Sequence, residues 1–222
     1  MGRSSGSVTI ESSLSNDEQV GLAGRLRRAT QALHRAAERS TLMAAVLRGD
    51  VDRARYAALL AQLLPVYRAL EDGLDRHAGD PGFAAFGFDA LRRVPALEAD
   101  LHRLGVSGQR LLPATRGYVD RLRHDGERQP LRLLAHAYVR YLGDLHGGQQ
   151  LARIVEPALG LGTEALRFHD FGPRPHVLDA IARLRAALDA LPADAAQSQA
   201  LVDEACWSFE QHLRLFDELV QG

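Results

Sequence analysis

Apolar residues recur along most of this chain at intervals of three and four. Leu22, Leu26, Ala29, Leu33 and Ala37 form one such stripe, which predicts a helix from about 19 to 40. Between Arg53 and His77 the stripe runs through Tyr56, Leu59, Leu60, Leu63, Leu64, Tyr67, Leu70 and Leu74. Pro65 lies inside this second helix and is expected to kink it. Gly79 to Gly87, punctuated by Pro81 and Gly82, reads as a loop. Further helices are predicted at roughly 89–104, 111–124, 130–158, 175–191 and 194–220, with Asp194 behind Pro192 as the N-cap of the last. Sustained two-residue alternation rich in β-branched residues is missing, so strands are not expected. Nor is there an internal repeat or a linker of domain size. The pattern predicts one all-α domain over 18–222, and the Ser- and Gly-rich stretch 1–17 is read as a flexible leader.

Composition narrows the function. At 222 residues and 46% hydrophobic content the chain can bury a substantial core. A formal net charge of −1 creates no field that would draw in nucleic acid or an anionic membrane. Every basic side chain is Arg, so a cationic contact to a ligand must come from a guanidinium, which can grip a carboxylate with two hydrogen bonds. The single cysteine, Cys206, excludes an internal disulfide and is expected in the core beside Trp207 and Phe209. No apolar run approaches the ~20 residues of a membrane span, and a cytoplasmic location is expected.

Several motifs lack the context they need. Gly160-Leu-Gly162-Thr-Glu-Ala165 fits a loose dinucleotide pattern, but it ends a helix and no strand precedes it. Asp170-Phe171-Gly172 stands without any other kinase element. Zincin motifs, paired Glu-x-x-His motifs and a nucleophile elbow are missing. The informative stretch is Ala135 to Ala152, which has helical patterning yet contains Gly143, Gly147 and Gly148. Each glycine costs a helix interior about 1 kcal/mol relative to Ala. One reading is a helix break at Gly147-Gly148. The other uses spacing: Gly143 and Gly147 share a face, and a face without side chains lets backbone lie against something flat. Arg140 and Asp144, also four apart, place a charged pair beside that surface.

Tyr141-Leu-Gly-Asp-Leu-His-Gly-Gly-Gln149 is very similar to the distal-helix signature of haem oxygenases, which usually has Ser where this chain has His146. Leu26-Arg-Arg-Ala-Thr-Gln-Ala-Leu-His34 resembles the proximal helix of the same family, and the likeness covers most of residues 20–220. The resemblance implies a helical fold with haem between a proximal helix and a glycine-kinked distal helix. His34 matches the iron ligand and Glu38 its partner. Asp144 matches the carboxylate that orders water over the haem, with Arg140, Tyr67 and Tyr118 in the same network and Gly143 and Gly147 facing the ring. Arg27, Tyr138 and an Arg of the helix at 175–191 match propionate contacts; Arg183 is chosen, with Arg185 open because of a loop-length ambiguity. Met43 and Phe209 match apolar haem contacts. The chain departs from the family at His212, where Asn is frequent, at Val139, where Thr is frequent, and at Gln31, where a Lys is absent.

The reaction so implied is cleavage of haem to biliverdin, ferrous iron and carbon monoxide, with O2 and electrons from an external reductase, since no flavin or nicotinamide motif is present. Haem is then both substrate and cofactor. A bilin-binding photoreceptor is one candidate consumer of the product. Two rival readings are a non-catalytic haem carrier or sensor, and a thiamin-degrading enzyme of similar helical architecture. An intact Asp144 and Gly143 argue against the first, and the His34/Glu38 pair against the second.

Overall fold

The computed structural model describes residues 21–162 and 166–221; the expected leader and the end of the Gly160–Ala165 motif lie outside them. Among the described residues there are nine α-helices and no strand. Helix α1 (Leu22–Arg39) stops at Ser40, whose hydroxyl accepts from the Met43 amide at 3.3 Å and caps α2 (Thr41–Arg48). Gly49, in the left-handed region at φ 74°, ends α2. This eight-residue helix is too short to register as a stripe, and the apolar spacing does not predict it. Helix α3 (Arg53–Arg76) starts from Asp52, which accepts from the Arg55 amide at 2.7 Å, and passes through Pro65.

The expected loop at Gly79–Gly87 contains a single helical turn, α4 (Pro81–Ala84), because Asp80 caps the Gly82 amide at 2.7 Å and Pro81 is preset for a first turn. The stretch predicted at 89–104 divides into a 3-10 turn (Phe88–Leu91) and α5 (Val94–Leu104). Then follow α6 (Pro113–Arg128), α7 (Arg132–Leu159), a 3-10 turn (Arg167–His169), α8 (Arg174–Asp189) and α9 (Ala195–Gln221). Asp194 and Gln197 exchange side-chain and amide bonds at 2.8 and 2.9 Å, a reciprocal cap at the start of α9.

Helix α9 packs on α1, α7 and α6, while α3 packs on α6, α5 and α7. Leu26, Leu60, Leu97, Leu122 and Leu133 are fully buried between these layers, each stabilising the fold by ~1.5–3 kcal/mol relative to exposure. Cys206 is only half-buried, its Sγ 3.8 Å from the Ala29 carbonyl, so the expectation of a core cysteine is corrected. One buried polar knot matters for the site. Asp100 accepts from the Arg167 and Phe168 amides at 3.0 and 2.8 Å, and Arg93 donates to the Asp170 carbonyl at 2.6 Å. These bonds tie the 3-10 turn at Arg167–His169 to the start and body of α5, and the turn packs on α7.

Candidate active site

Helix α7 is unbroken from Arg132 to Leu159, so Gly147-Gly148 is not a helix break. The three glycines do two different jobs. A Cβ at Gly148 would stand 3.1 Å from the His169 carbonyl oxygen, so this glycine admits the pinned 3-10 turn. A Cβ at Gly143 or Gly147 would meet no atom within 4 Å. These two leave a bare strip of backbone on the wall of a cavity of about 300 Å³, lined also by His34, Glu38, Met43, Asp144, Phe209 and His212. A second cavity of about 400 Å³ continues past His34, Val139 and Phe209, which line both, to Arg27, Tyr138, His146 and Arg185.

Facing the bare strip is α1. His34 is half-exposed in this cleft, with its ring edge-on to Phe209 at 6.0 Å between centroids. Its Nδ1 lies 3.6 Å from Glu38 Oε1 one turn on, which leaves Nε2 free for a ligand.

Beside the strip the polar groups form a directed chain. Arg140 donates from Nε and Nη2 to the Tyr67 hydroxyl at 3.1 and 2.9 Å, and that hydroxyl donates to Asp144 Oδ2. Arg140 Nη2 also lies 3.5 Å from Asp144 Oδ1. His212 holds the other side of the guanidinium. Its Nδ1–H donates to the Ser208 carbonyl at 2.8 Å, so its Nε2 is the acceptor for Arg140 Nη1. Burial, helped by Arg140, pushes the His212 imidazolium well below its ordinary range and keeps the ring neutral. For Asp144 burial raises the carboxyl pKa and outweighs the pull of Arg140 and Tyr67 in the opposite direction. Asp144 therefore holds its proton to a higher pH than an ordinary aspartate, while Arg140 and Tyr67 oppose that shift.

The chain as a whole is similar to proteins of known kind. The family model for haem oxygenase matches residues 20–218. The chain belongs to the haem oxygenase family. A haem oxygenase of Pyropia yezoensis is 37% identical over 203 residues, covering 89% of this chain and 85% of that protein. Haem oxygenase-2 of Synechocystis, solved in complex with haem and NO, superposes with a TM-score of 0.86 at 33% identity, over 91% of this chain and 86% of that one. The haem oxygenase of Leptospira interrogans superposes with a TM-score of 0.84 at 32% identity, over 90% and 100% of the two chains. Family members degrade haem to biliverdin.

Most of the expected residues of this haem oxygenase meet at the cleft: His34, Glu38, Met43, Arg140, Gly143, Asp144, Gly147 and Phe209 around one cavity, Arg27 and Tyr138 around its continuation. Tyr67 stands directly behind Asp144. Two are placed elsewhere. Arg183 does not face the cleft: it pairs with Asp179 at 2.9 Å and lies beside Gly87, in a separate recess with Phe171 and His176. Two positions along a helix are about 200° apart, and the side that meets the cleft carries Arg185.

Tyr118 lines neither cavity. Its hydroxyl bonds Ser208 and lies 3.3 Å from His136 Nδ1, and its ring meets that of His212 edge-on at 5.3 Å between centroids. Burial pushes its phenol up to about 12. Behind it His136, Asp125 and Glu204 form a buried set in which Arg121 and Arg132 supply the positive charge. Burial pushes Glu204 up, but bonds from His136 and Arg121 overcome it and bring the carboxylate down to about 2.

Sequence reasoning gave no role to His146, whose imidazole reaches Arg185 at 3.3 Å; its departure from the family Ser was the available signal. A larger recess of about 860 Å³ between α7 and α8 meets the cleft only at His146 and Gln150 and carries none of the expected residues.

Proposed function

We propose that this chain binds haem between α1 and α7 and cleaves it oxidatively to biliverdin, ferrous iron and carbon monoxide, using O2 and electrons from an external reductase. The observation that carries this reading is the slot between a half-exposed His34 and a strip of helix backbone bare at Gly143 and Gly147. A planar macrocycle needs such a slot, and side chains at those two positions would fill it. When bound, haem supplies the redox chemistry. The protein's part is binding, orientation and protons. His34 would hold the iron through Nε2, with Glu38 orienting the ring. Asp144, with its carboxyl raised by burial, would pass a proton to water in the cavity, and Tyr67, Arg140 and His212 would fix its position. Arg27, Tyr138 and Arg185 would take the propionates, and Tyr118 would act one shell further out.

No described helix is long and apolar enough to cross a membrane, which supports a cytoplasmic setting where a reductase delivers electrons and a bilin-binding photoreceptor could take the product. The rival reading is a haem carrier that uses the same slot without turnover. Ferric haem added to the full chain should give a histidine-ligated spectrum, and reductant plus oxygen should convert it to that of biliverdin. His34→Ala should weaken binding and stop conversion, and free imidazole should restore part of both. A stable haem spectrum in the wild type under reductant and oxygen would favour the carrier.

A further inference from the structure

The cleft has two ends of opposite character. At the Asp144 end the polar groups pair with one another. At the other end Arg27, Arg35 and Arg185 line the cavity with two histidines, and no carboxylate is among the lining residues. Tyr138 lines the same cavity, and a hydrogen bond with Thr30, then Arg185 and Arg27, counter the upward push of burial on its phenol. Among the described residues none of these guanidiniums pairs with a carboxylate, and guanidiniums beside a phenol are suited to binding carboxylates. Arg183 shows the contrast, since Asp179 already neutralises it.

His146 belongs to this end. Its Nδ1 lies 2.6 Å from the Leu142 carbonyl, one turn back on α7. Only an N–H can make that bond, so Nδ1 carries a proton, and Nε2 is the nitrogen left to accept from a neighbour that can only donate. Nε2 lies 3.3 Å from Nη2 of Arg185 on α8 and accepts from it. Among the described residues Arg185 pairs with no acidic side chain. A free Arg side chain loses several rotameric degrees of freedom when it grips a ligand. One already tethered across the cleft has lost part of that freedom beforehand. A serine at position 146, the usual residue of the family signature, is too short to make the tether.

We propose that His146 is a positioning residue for substrate carboxylates: through Nε2 it holds Arg185 over the cleft, and Arg185 so held fixes how the propionate edge of haem is seated at the Arg27–Tyr138 end. The inference rests on the reading of the cleft as a haem site. His146 does not itself touch the carboxylate. Its effect passes through Arg185 and depends on the ligand's having free carboxylates.

The test is titration of the full chain with ferric haem and, in parallel, with ferric haem dimethyl ester, followed by absorbance. The proteins are wild type, His146→Leu, His146→Gln, Arg185→Ala and the double variant His146→Leu/Arg185→Ala. Loss of one tethering hydrogen bond should weaken haem binding by His146→Leu roughly three- to tenfold. Binding of the ester should be unchanged in that variant. His146→Gln, which retains an acceptor of similar reach, should restore affinity. The double variant should bind haem no more weakly than Arg185→Ala alone, as expected of residues acting in series. Proton NMR of the ferric cyanide complexes should show the minor, rotated seating of haem enriched in His146→Leu and suppressed again in His146→Gln. Equal losses for haem and ester, additive losses in the double variant, or unchanged seating in His146→Leu would each overturn the proposal. Failure of the wild type to bind haem with a histidine-ligated spectrum would overturn the underlying site as well, so the two failures are distinguishable.

Discussion

At the scale of single residues, the distal chain depends on each group having one available direction. Arg140 can only donate, Tyr67 receives and passes on, and Asp144 accepts at the end. His212 closes the arrangement by taking the fourth direction of the guanidinium with a neutral nitrogen. His212→Leu would leave Arg140 Nη1 in a buried place without its acceptor, at a cost of about 1–3 kcal/mol. Denaturant unfolding should register that loss, while His212→Asn, which can still accept, should recover most of it. Equal destabilisation by Leu and Asn would show that His212 matters for its volume and not for its lone pair.

His34, Glu38, Asp144 and Arg140 were legible through the resemblance, because each stands in or beside a stretch that matches a family motif. Arg185 was not resolved from Arg183, because helix spacing fixes relative angle only once the helix has been placed, and the loop count after Leu191 left that placement open. The sequence reading also made Arg140 and Asp144 a charged pair beside the bare surface. It could not weigh the burial that moves the carboxyl the other way.

For the elements, the informative one is α7. Its glycines look alike in the sequence and differ in what stands opposite them. Gly143→Ala and Gly147→Ala meet no neighbour, so each should stabilise the protein without ligand by up to about 1 kcal/mol, the helix preference for Ala over Gly. Each should also weaken haem binding by intruding on the slot. Gly148→Ala should lower the melting temperature, because its Cβ meets the His169 carbonyl at 3.1 Å in a turn that Asp100 and Arg93 hold in place. Thermal melts of the three variants without haem decide this, and a common sign would refute the division of roles. Long helices were legible from periodicity, whereas α2 and α4 were not. Both are set by local caps, Ser40 to Met43 and Asp80 to Gly82, and not by a long apolar face.

The molecule as a whole carries buried neutral imidazoles that tie its stability to pH. Burial, then Arg93, lowers His169 from the ordinary 6.5 to about 4, with its Nε2 3.0 Å from the Tyr56 hydroxyl. Between those values the unfolded chain binds a proton that the folded one refuses, so stability is full above pH ~6.5 and is lost as pH falls toward about 4. The full shift corresponds to roughly 3 kcal/mol. His212, lowered in the same direction, adds to the loss. Asp144, with its pKa raised, works against it. His169→Gln should therefore flatten the fall in unfolding free energy between pH 6.5 and 4 relative to wild type. An identical slope in both proteins would show that His169 takes up its proton without opening the fold.

That the chain is all-α was legible throughout, since the same three- and four-residue spacing persists in every long helix. Tyr118 shows where sequence stops: the resemblance placed it in the network, and packing against Ser208 and Trp207 shows that it is held one layer back. The central claim is that a haem seated between His34 and the bare edge of α7 is opened with a proton held at Asp144. Single turnover of the haem-loaded wild type and Asp144→Ala, with reductant and oxygen and with biliverdin quantified by chromatography, tests it most directly. Near-stoichiometric biliverdin is expected from wild type. From Asp144→Ala, with haem still bound at His34, the rate of formation should be lower by about 100-fold or more. Biliverdin from Asp144→Ala at the wild-type rate and yield would contradict it.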